Sequence, residues 1–296
     1  PVISVSGQAW ETNIADLLIE GDTATGNYGQ TGAGILIDAG ATPRSYPSMH
    51  GDNGPLIDNV RIAYLNADAI VLKSNSAGDS LVGAQVRSCN VYQVTGKGLV
   101  LDKVTDSQII GVVCGDTGSN GFYLTSGNCR YIGCKAYFSG DSGTSAQRAD
   151  GRGHGWYLDY CHRDTFEACE SQDSMHHGWY LHTVGMLRFT GCLADSSGWG
   201  AAGSHNATIS YSAGFYVDSP SVDGPIALDI QGANFRSPRM QDYHLYVASG
   251  AGASKLHGTV LADALSIMVG AAAVGGAGAS SCAYSSSTGL GVLVLT

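Results

Sequence analysis

Gly155-Trp156-Tyr157-Leu158-Asp159 is followed 23 residues later by Gly178-Trp179-Tyr180-Leu181-His182. The same five-residue word reads Gly98-Leu99-Val100-Leu101-Asp102, Gly121-Phe122-Tyr123-Leu124-Thr125 and Gly214-Phe215-Tyr216-Val217-Asp218 elsewhere in the chain, with looser copies at 34–38, 69–73 and 244–248. The five strong copies begin 23, 34, 23 and 36 residues apart, so the unit is 23 residues and two copies carry insertions. A second word trails the first: Ile109-Ile110-Gly111-Val112, Tyr131-Ile132-Gly133-Cys134, Phe166-Glu167-Ala168-Cys169 and Phe189-Thr190-Gly191-Cys192. Both words are short apolar runs bounded by Gly, Ser, Asp and Asn, the pattern of strands between turns rather than of helices. One such unit cannot bury its own apolar face, whereas stacked units can.

Stacking turns the repeat into columns. Ile35, Ile70, Leu99, Phe122, Trp156, Trp179, Phe215 and Leu245 form one inward column, and Ile37, Leu72, Leu101, Leu124, Leu158, Leu181, Val217 and Val247 a second. The second word contributes Cys89, Val112, Cys134, Cys169, Cys192 and Ala233. Tyr123, Tyr157, Tyr180, Tyr216 and Tyr246 then line up on the outside, His154 falls on His177, and Asp159 on His182. With these ladders the chain resembles the right-handed parallel β-helix of pectin-lyase-like proteins, over roughly residues 30–265. The resemblance implies an all-β, single-stranded helix of about nine or ten coils in one domain, residues 1–296. Its right hand comes from the resemblance and from the crossover rule for parallel strands. Residues 9–19 place Trp10, Ile14, Leu17 and Leu18 on one helical face and are expected to plug the first coil as a short helix. Segment 271–296, with a strand at 291–295, is expected to close or extend the other end.

Composition narrows the rest. The chain has 296 residues, a net charge of −10, 14% charged and 44% hydrophobic residues, and 42 glycines. That apolar content excludes a disordered acidic chain, and glycine without a three-residue period excludes collagen. No basic run is present, so nucleic acid is not an expected partner. The Ala/Gly/Val stretch at 269–279 is too short to span a bilayer, so no membrane insertion is expected. The start at Pro1 reads as a mature or excised form. Cys89, Cys134, Cys169 and Cys192 share an inward column and read as core thiols rather than disulfides. Cys129 and Cys134 lack paired zinc-ligand spacing, and no metal or cofactor is expected. Gly140-Asp141-Ser142-Gly143 resembles a protease nucleophile motif, but it lacks the His and Asp context and reads as a turn.

The two insertions, 139–153 and 195–213, leave from equivalent turns and flank a coil of bare length, which makes a trough. Six of the nine histidines lie between 154 and 205. The catalytic candidates are Asp159, paired with Asp150 or Asp173, together with His154 and His177. Tyr123, Tyr157, Tyr180, His182, Arg152 and Trp199 are the substrate-binding candidates. Asp164 and Glu170 read as solvated turn residues. The tyrosine column offers ring faces and hydroxyls at a sugar-like pitch; it equally suits a trimer interface or plain stacking. For β-helices that cleave glycans, hydrolysis needs two carboxylates, about 5–5.5 Å apart for retention or about 6.5–9.5 Å for inversion. Elimination needs a Tyr or His base and a cation to neutralise a uronate. A charge of −10 and only five lysines favour a hydrolase, with a lyase second and a non-catalytic trimeric fibre or adhesin third. The implied partner is an oligo- or polysaccharide, in a secreted or virion setting and as a homotrimer. The chain has neither the Asp-rich calcium cluster of pectate lyases nor the Asp-Asp pattern of polygalacturonases, so no catalytic residue carries over from either.

Overall fold

The computed structural model describes residues 1–7, 12–21, 32–40, 54–74, 80–140, 153–199, 212–220, 226–233, 241–248, 256–262, 267–269 and 291–295. They form a right-handed parallel β-helix with no helix among them. A front sheet carries the first word once per coil, through strands Ile35–Asp38, Ile70–Lys73, Leu99–Thr105, Phe122–Gly127, Trp156–Asp159, Trp179–Val184, Ala213–Pro220 and Tyr243–Val247. Ile3–Ser6 and Ile267–Val269 extend it at its two ends. A back sheet carries the second word, as strand pairs such as Thr165–Glu167 and Glu170–Gln172, or as single bent strands such as Arg188–Asp195.

Register is the repeat made physical. Trp156 pairs with Trp179, Tyr157 with Tyr180, Leu158 with Leu181 and Asp159 with His182. Both first-word columns run unbroken from Ile35 to Leu245 and from Ile37 to Val247, fully buried throughout. Inside, Phe122, Trp156, Trp179 and Phe215 stack nearly parallel, with centroid spacings of 3.7, 4.5 and 5.4 Å. Phe166 and Phe189 of the back sheet meet the tryptophans edge-on. A buried indole N–H needs an acceptor. Trp156 Nε1 donates to the Glu170 carbonyl (3.0 Å) and Trp179 Nε1 to that of Leu193 (3.2 Å), the same solution one coil apart.

The two words need glycine for different reasons. In the first word it is crowding: a Cβ on Gly155 would lie 1.9 Å from Ser171 Oγ and 2.8 Å from the Gly178 carbonyl. In the second word it is conformation, because the bend between the back-sheet strands requires a left-handed residue in each coil. Asn59, Ser88, Gly111, Gly133, Ala168 and Gly191 fill that place, with φ between 50 and 61°.

Three expectations are corrected. Residues 13–20 form a strand, Asn13–Glu20, paired in parallel with Leu56–Leu65, and not a helix; Trp10 lies outside the described residues. Asp16 has φ 54° and bends this strand as its counterparts bend later coils. That corner interrupts the alternation, so Ile14 and Leu17 stand three apart and, with the exposed Leu18, imitate one face of a helix. In the cysteine column the residue above Cys192 is Ile230 rather than Ala233, because the register shifts between Thr190 and Cys192. Asp164, expected in a solvated turn, is fully buried. It accepts hydrogen bonds from Ser126 Oγ and Cys129 N, both at 2.7 Å, and burial pushes its carboxyl up to about 7.

The seven described cysteines are buried free thiols. Burial pushes Cys89 up to about 11 and Cys129 to about 12, so they act as small apolar side chains rather than nucleophiles. At the C-terminal end, Gly291–Leu295 pairs antiparallel with Leu256–Ala262.

Candidate functional site

Outward positions of the front sheet form three parallel columns, because side chains alternate across a strand and parallel register superposes them. The middle column is the tyrosine ladder, in which Tyr123, Tyr157, Tyr180, Tyr216 and Tyr246 follow one another at centroid spacings of 5.2, 5.0, 5.2 and 5.0 Å. Interplanar angles between successive rings run from 6 to 33°. Each ring thus covers the face of the next. The sequence reading gave this column flat faces for sugars; the structure spends those faces on neighbouring tyrosines and leaves edges and hydroxyls outward. Lys97 Nζ lies 5.0 Å from the Tyr123 ring and covers that end.

On one flank, at the corner where each coil enters the front sheet, stand Asn120, His154 and His177. His154 and His177 are nearly buried, at 3% exposure each, and stack at 5.3 Å. His154 also stacks on Tyr180 (4.8 Å) and His177 on Tyr216 (4.5 Å). Asn120 Oδ1 accepts from the His154 N–H, and His177 Nδ1 accepts from the Ala213 N–H. His176 adds a third imidazole, 4.5 Å from His154 and 4.1 Å from His177. Burial pulls His176 down to about 4 and lowers His177, with the neighbouring imidazoles adding to the second shift. This trio forms a wall, suited to holding the tyrosines in place.

On the other flank run Asp102, Thr125, Asp159, His182 and Asp218. Asp159 Oδ1 is buried and takes no hydrogen bond among the described residues. Burial raises the Asp159 carboxyl above the usual carboxylate range, against the pull of His182. Asp218 Oδ2 accepts from Tyr180 Oη (2.9 Å) and stands 2.7 Å from His182 Nδ1. This contact orients the His182 ring along the Asp218 carboxylate. Tyr157 is pushed up to about 12, by burial first and then by Asp159. Tyr180 is raised by burial and by its hydrogen bond to Asp218.

The remaining candidates separate. Asp150 and Arg152 lie outside the described residues. Asp173 is buried beside Gln172, before the corner that leads into strand Trp179–Val184, whereas Asp159 stacks beside His182 inside that strand's register. Residues 177 and 182 alone are about 16 Å apart along an extended strand, so Asp173 and Asp159 stand at opposite ends of the sheet's width. Trp199 packs on Phe138 (5.1 Å) and its backbone N–H bonds to the Ser174 carbonyl, at the corner between the two insertions. The described ends of those insertions meet at one short corner: the Met175 and His176 N–H groups bond to the Ser139 and Gly153 carbonyls, and the Gly198 and Trp199 backbone N–H groups to that of Ser174. His162, Arg163 and Asp164 lie at the opposite corner, away from His177. Glu167 and Glu170 pair with Arg130 and Lys135 on the back sheet. Asp218 was not among the candidates, although it holds the fifth place of the word, as do Asp159 and His182.

No protein-family model matches the chain, and no curated protein matches it significantly. Among solved structures it is similar to the A-module of a mannuronan C-5 epimerase from Azotobacter vinelandii, at 11% identity over 90% of this chain and 74% of that one, TM-score 0.41. It is similar to an alginate lyase from Paenibacillus sp. at 10% identity over 86% and 95%, TM-score 0.37. It is also similar to the tailspike protein gp49 of Pseudomonas phage LKA1 at 12% identity over 88% and 46%, TM-score 0.38. Likeness at this level concerns the coiled β architecture alone.

Proposed function

We propose that the protein binds a polysaccharide along the outward tyrosine ladder and hydrolyses a glycosidic bond beside it. The observation that carries this reading is the Asp159 carboxyl, raised by burial and with one oxygen unpaired, two coils from a second carboxylate, Asp218. In this role Asp159 donates a proton to the leaving oxygen. Asp218 and His182 take a proton from the attacking water. Two coil steps amount to about 9.6 Å of backbone, which leaves room for a water and favours inversion. Asp150 is the other sequence candidate for the second carboxylate. His154 and His177 serve by fixing Tyr180 and Tyr216 rather than by touching the scissile bond.

Elimination is the second reading, favoured by the hydrogen-bonded Tyr180–Asp218–His182 group, which has the make-up of an oriented base. The proposal carries with it a setting outside the cell, secreted or on a virion, and a trimeric assembly. Asp159→Asn, which keeps a hydrogen-bonding group for the glycan but has no acid proton to give, should abolish release of new reducing ends from a panel of glycans while leaving glycan binding within about twofold. Unchanged turnover removes Asp159 from the mechanism. Products that absorb as unsaturated uronates turn the hydrolase into a lyase.

A further inference from the structure

The charge pattern around the ladder narrows the substrate class, taking the glycan-cleaving reading above as given. The strands Phe122–Gly127, Trp156–Asp159, Trp179–Val184, Ala213–Pro220 and Tyr243–Val247 contain no Lys or Arg at all. Two of them place carboxylates in the column beside the tyrosines, Asp159 and Asp218, and Asp102 extends that column one coil beyond Thr125. The described front-face lysines, Lys73, Lys97 and Lys103, belong to earlier coils. Lys73 is bound to Asp38 at 3.3 Å, and Lys97 is held over the Tyr123 ring. Beside them, burial opposes positive charge on His176 and His177.

A polyuronate brings one negative charge per sugar. Laid along this face, it would set carboxylates within a few ångströms of Asp218 and of the Asp159 carboxyl, with no Lys or Arg on the strands that carry them. Like charges at such separations repel, and more strongly in a partly dry site than in water. A neutral sugar meets the opposite situation. The ladder's covered ring faces leave a row of phenol hydroxyls next to the Asp159 and Asp218 carboxyl groups, with Tyr180 Oη already donating to Asp218 Oδ2. Sugar hydroxyls both donate and accept, which matches such a row.

We infer that the glycan taken by this face is uncharged and rich in hydroxyls, bound through hydrogen bonds to the tyrosine row and to Asp159 and Asp218, and that polyuronates are refused. The test uses the full chain in affinity electrophoresis against neutral polysaccharides (a glucan, a mannan, a galactan, a xylan) and against polygalacturonate and alginate, at low and high salt. Retardation by at least one neutral polymer, changed less than twofold by salt, with none by the polyuronates, is the expected result. Retardation by a polyuronate that fades with salt, without any by neutral polymers, overturns the substrate class and leaves the ladder as a glycan site. Retardation by neither class overturns the glycan-binding reading itself, and this inference with it.

Discussion

Trp156 and Tyr157 are consecutive residues, and so are Trp179 and Tyr180, yet the two stacks they build do different work. The inner pair lies 4.5 Å apart and the outer pair 5.0 Å, both set by the same backbone register. Inside, every edge is met by Phe166 or Phe189 and each indole N–H by a carbonyl. Outside, the same stacking covers the ring faces but leaves edges and hydroxyls to water and to the flanking aspartates. The coil pitch is common to both columns; only the side of the sheet decides whether an aromatic ladder is core or surface chemistry.

The sharpest way to break this comparison is to remove one ring from the inner stack. Trp179→Ala should cost about 3–5 kcal/mol, read as a shift in the denaturant midpoint. A loss below about 1 kcal/mol would mean the inner stack is no more a core than the outer one. The next test concerns the polar exception within the interior, Asp164. Its folded carboxyl is raised to about 7 by burial, against an ordinary value near 4 in the unfolded chain. The folded state therefore holds this proton more tightly. Stability from the group is complete below about pH 4 and is lost as pH rises through about 7. Asp164→Asn should remove that dependence, so its melting temperature relative to the parent should rise between pH 4.5 and pH 8, by the equivalent of about 2–4 kcal/mol. A gap that stays constant with pH would show that the buried carboxyl does not titrate in this range. The smallest expected effect on stability lies outside. Tyr157→Phe keeps the ring and its stacking and should change stability by less than about 0.5 kcal/mol. It should still weaken glycan retardation several-fold, because the hydroxyl is what this face presents. Equal retardation would reduce the outer ladder to a structural stack.

Much of the fold was legible because its columns repeat in letters. The glycine, the bulky apolar residue and the leucine of the first word each have one steric reason per coil, so they recur. The corners were not legible. Asp16, Asn59, Ser88, Gly111 and Ala168 all occupy one left-handed place and share no chemistry beyond tolerating it. The apparent helix at 9–19 was a product of that variety. The histidines were misjudged as a single group for a related reason. Closeness in sequence put His162 with His154 and His177, but one strand between them sends His162 to the opposite corner. The tyrosine–aspartate–histidine group was half read: Asp159 over His182 follows from register. Asp218 pairs with both Tyr180 and His182 only because the register shifts at His182, and no spacing in the sequence announces that shift.

Gly140 and Gly153, with φ of 90 and 105°, lie side by side at the point where the chain leaves a coil and comes back. A Cβ on Gly140 would sit 2.9 Å from the Gly153 Cα, so the doorway is only as wide as two bare backbones. Such a doorway makes the shaft indifferent to what hangs from it: length and lettering between the two jambs can be exchanged without retuning the rungs above and below. The residues between these two glycines can thus change while the stacked interior stays as it was.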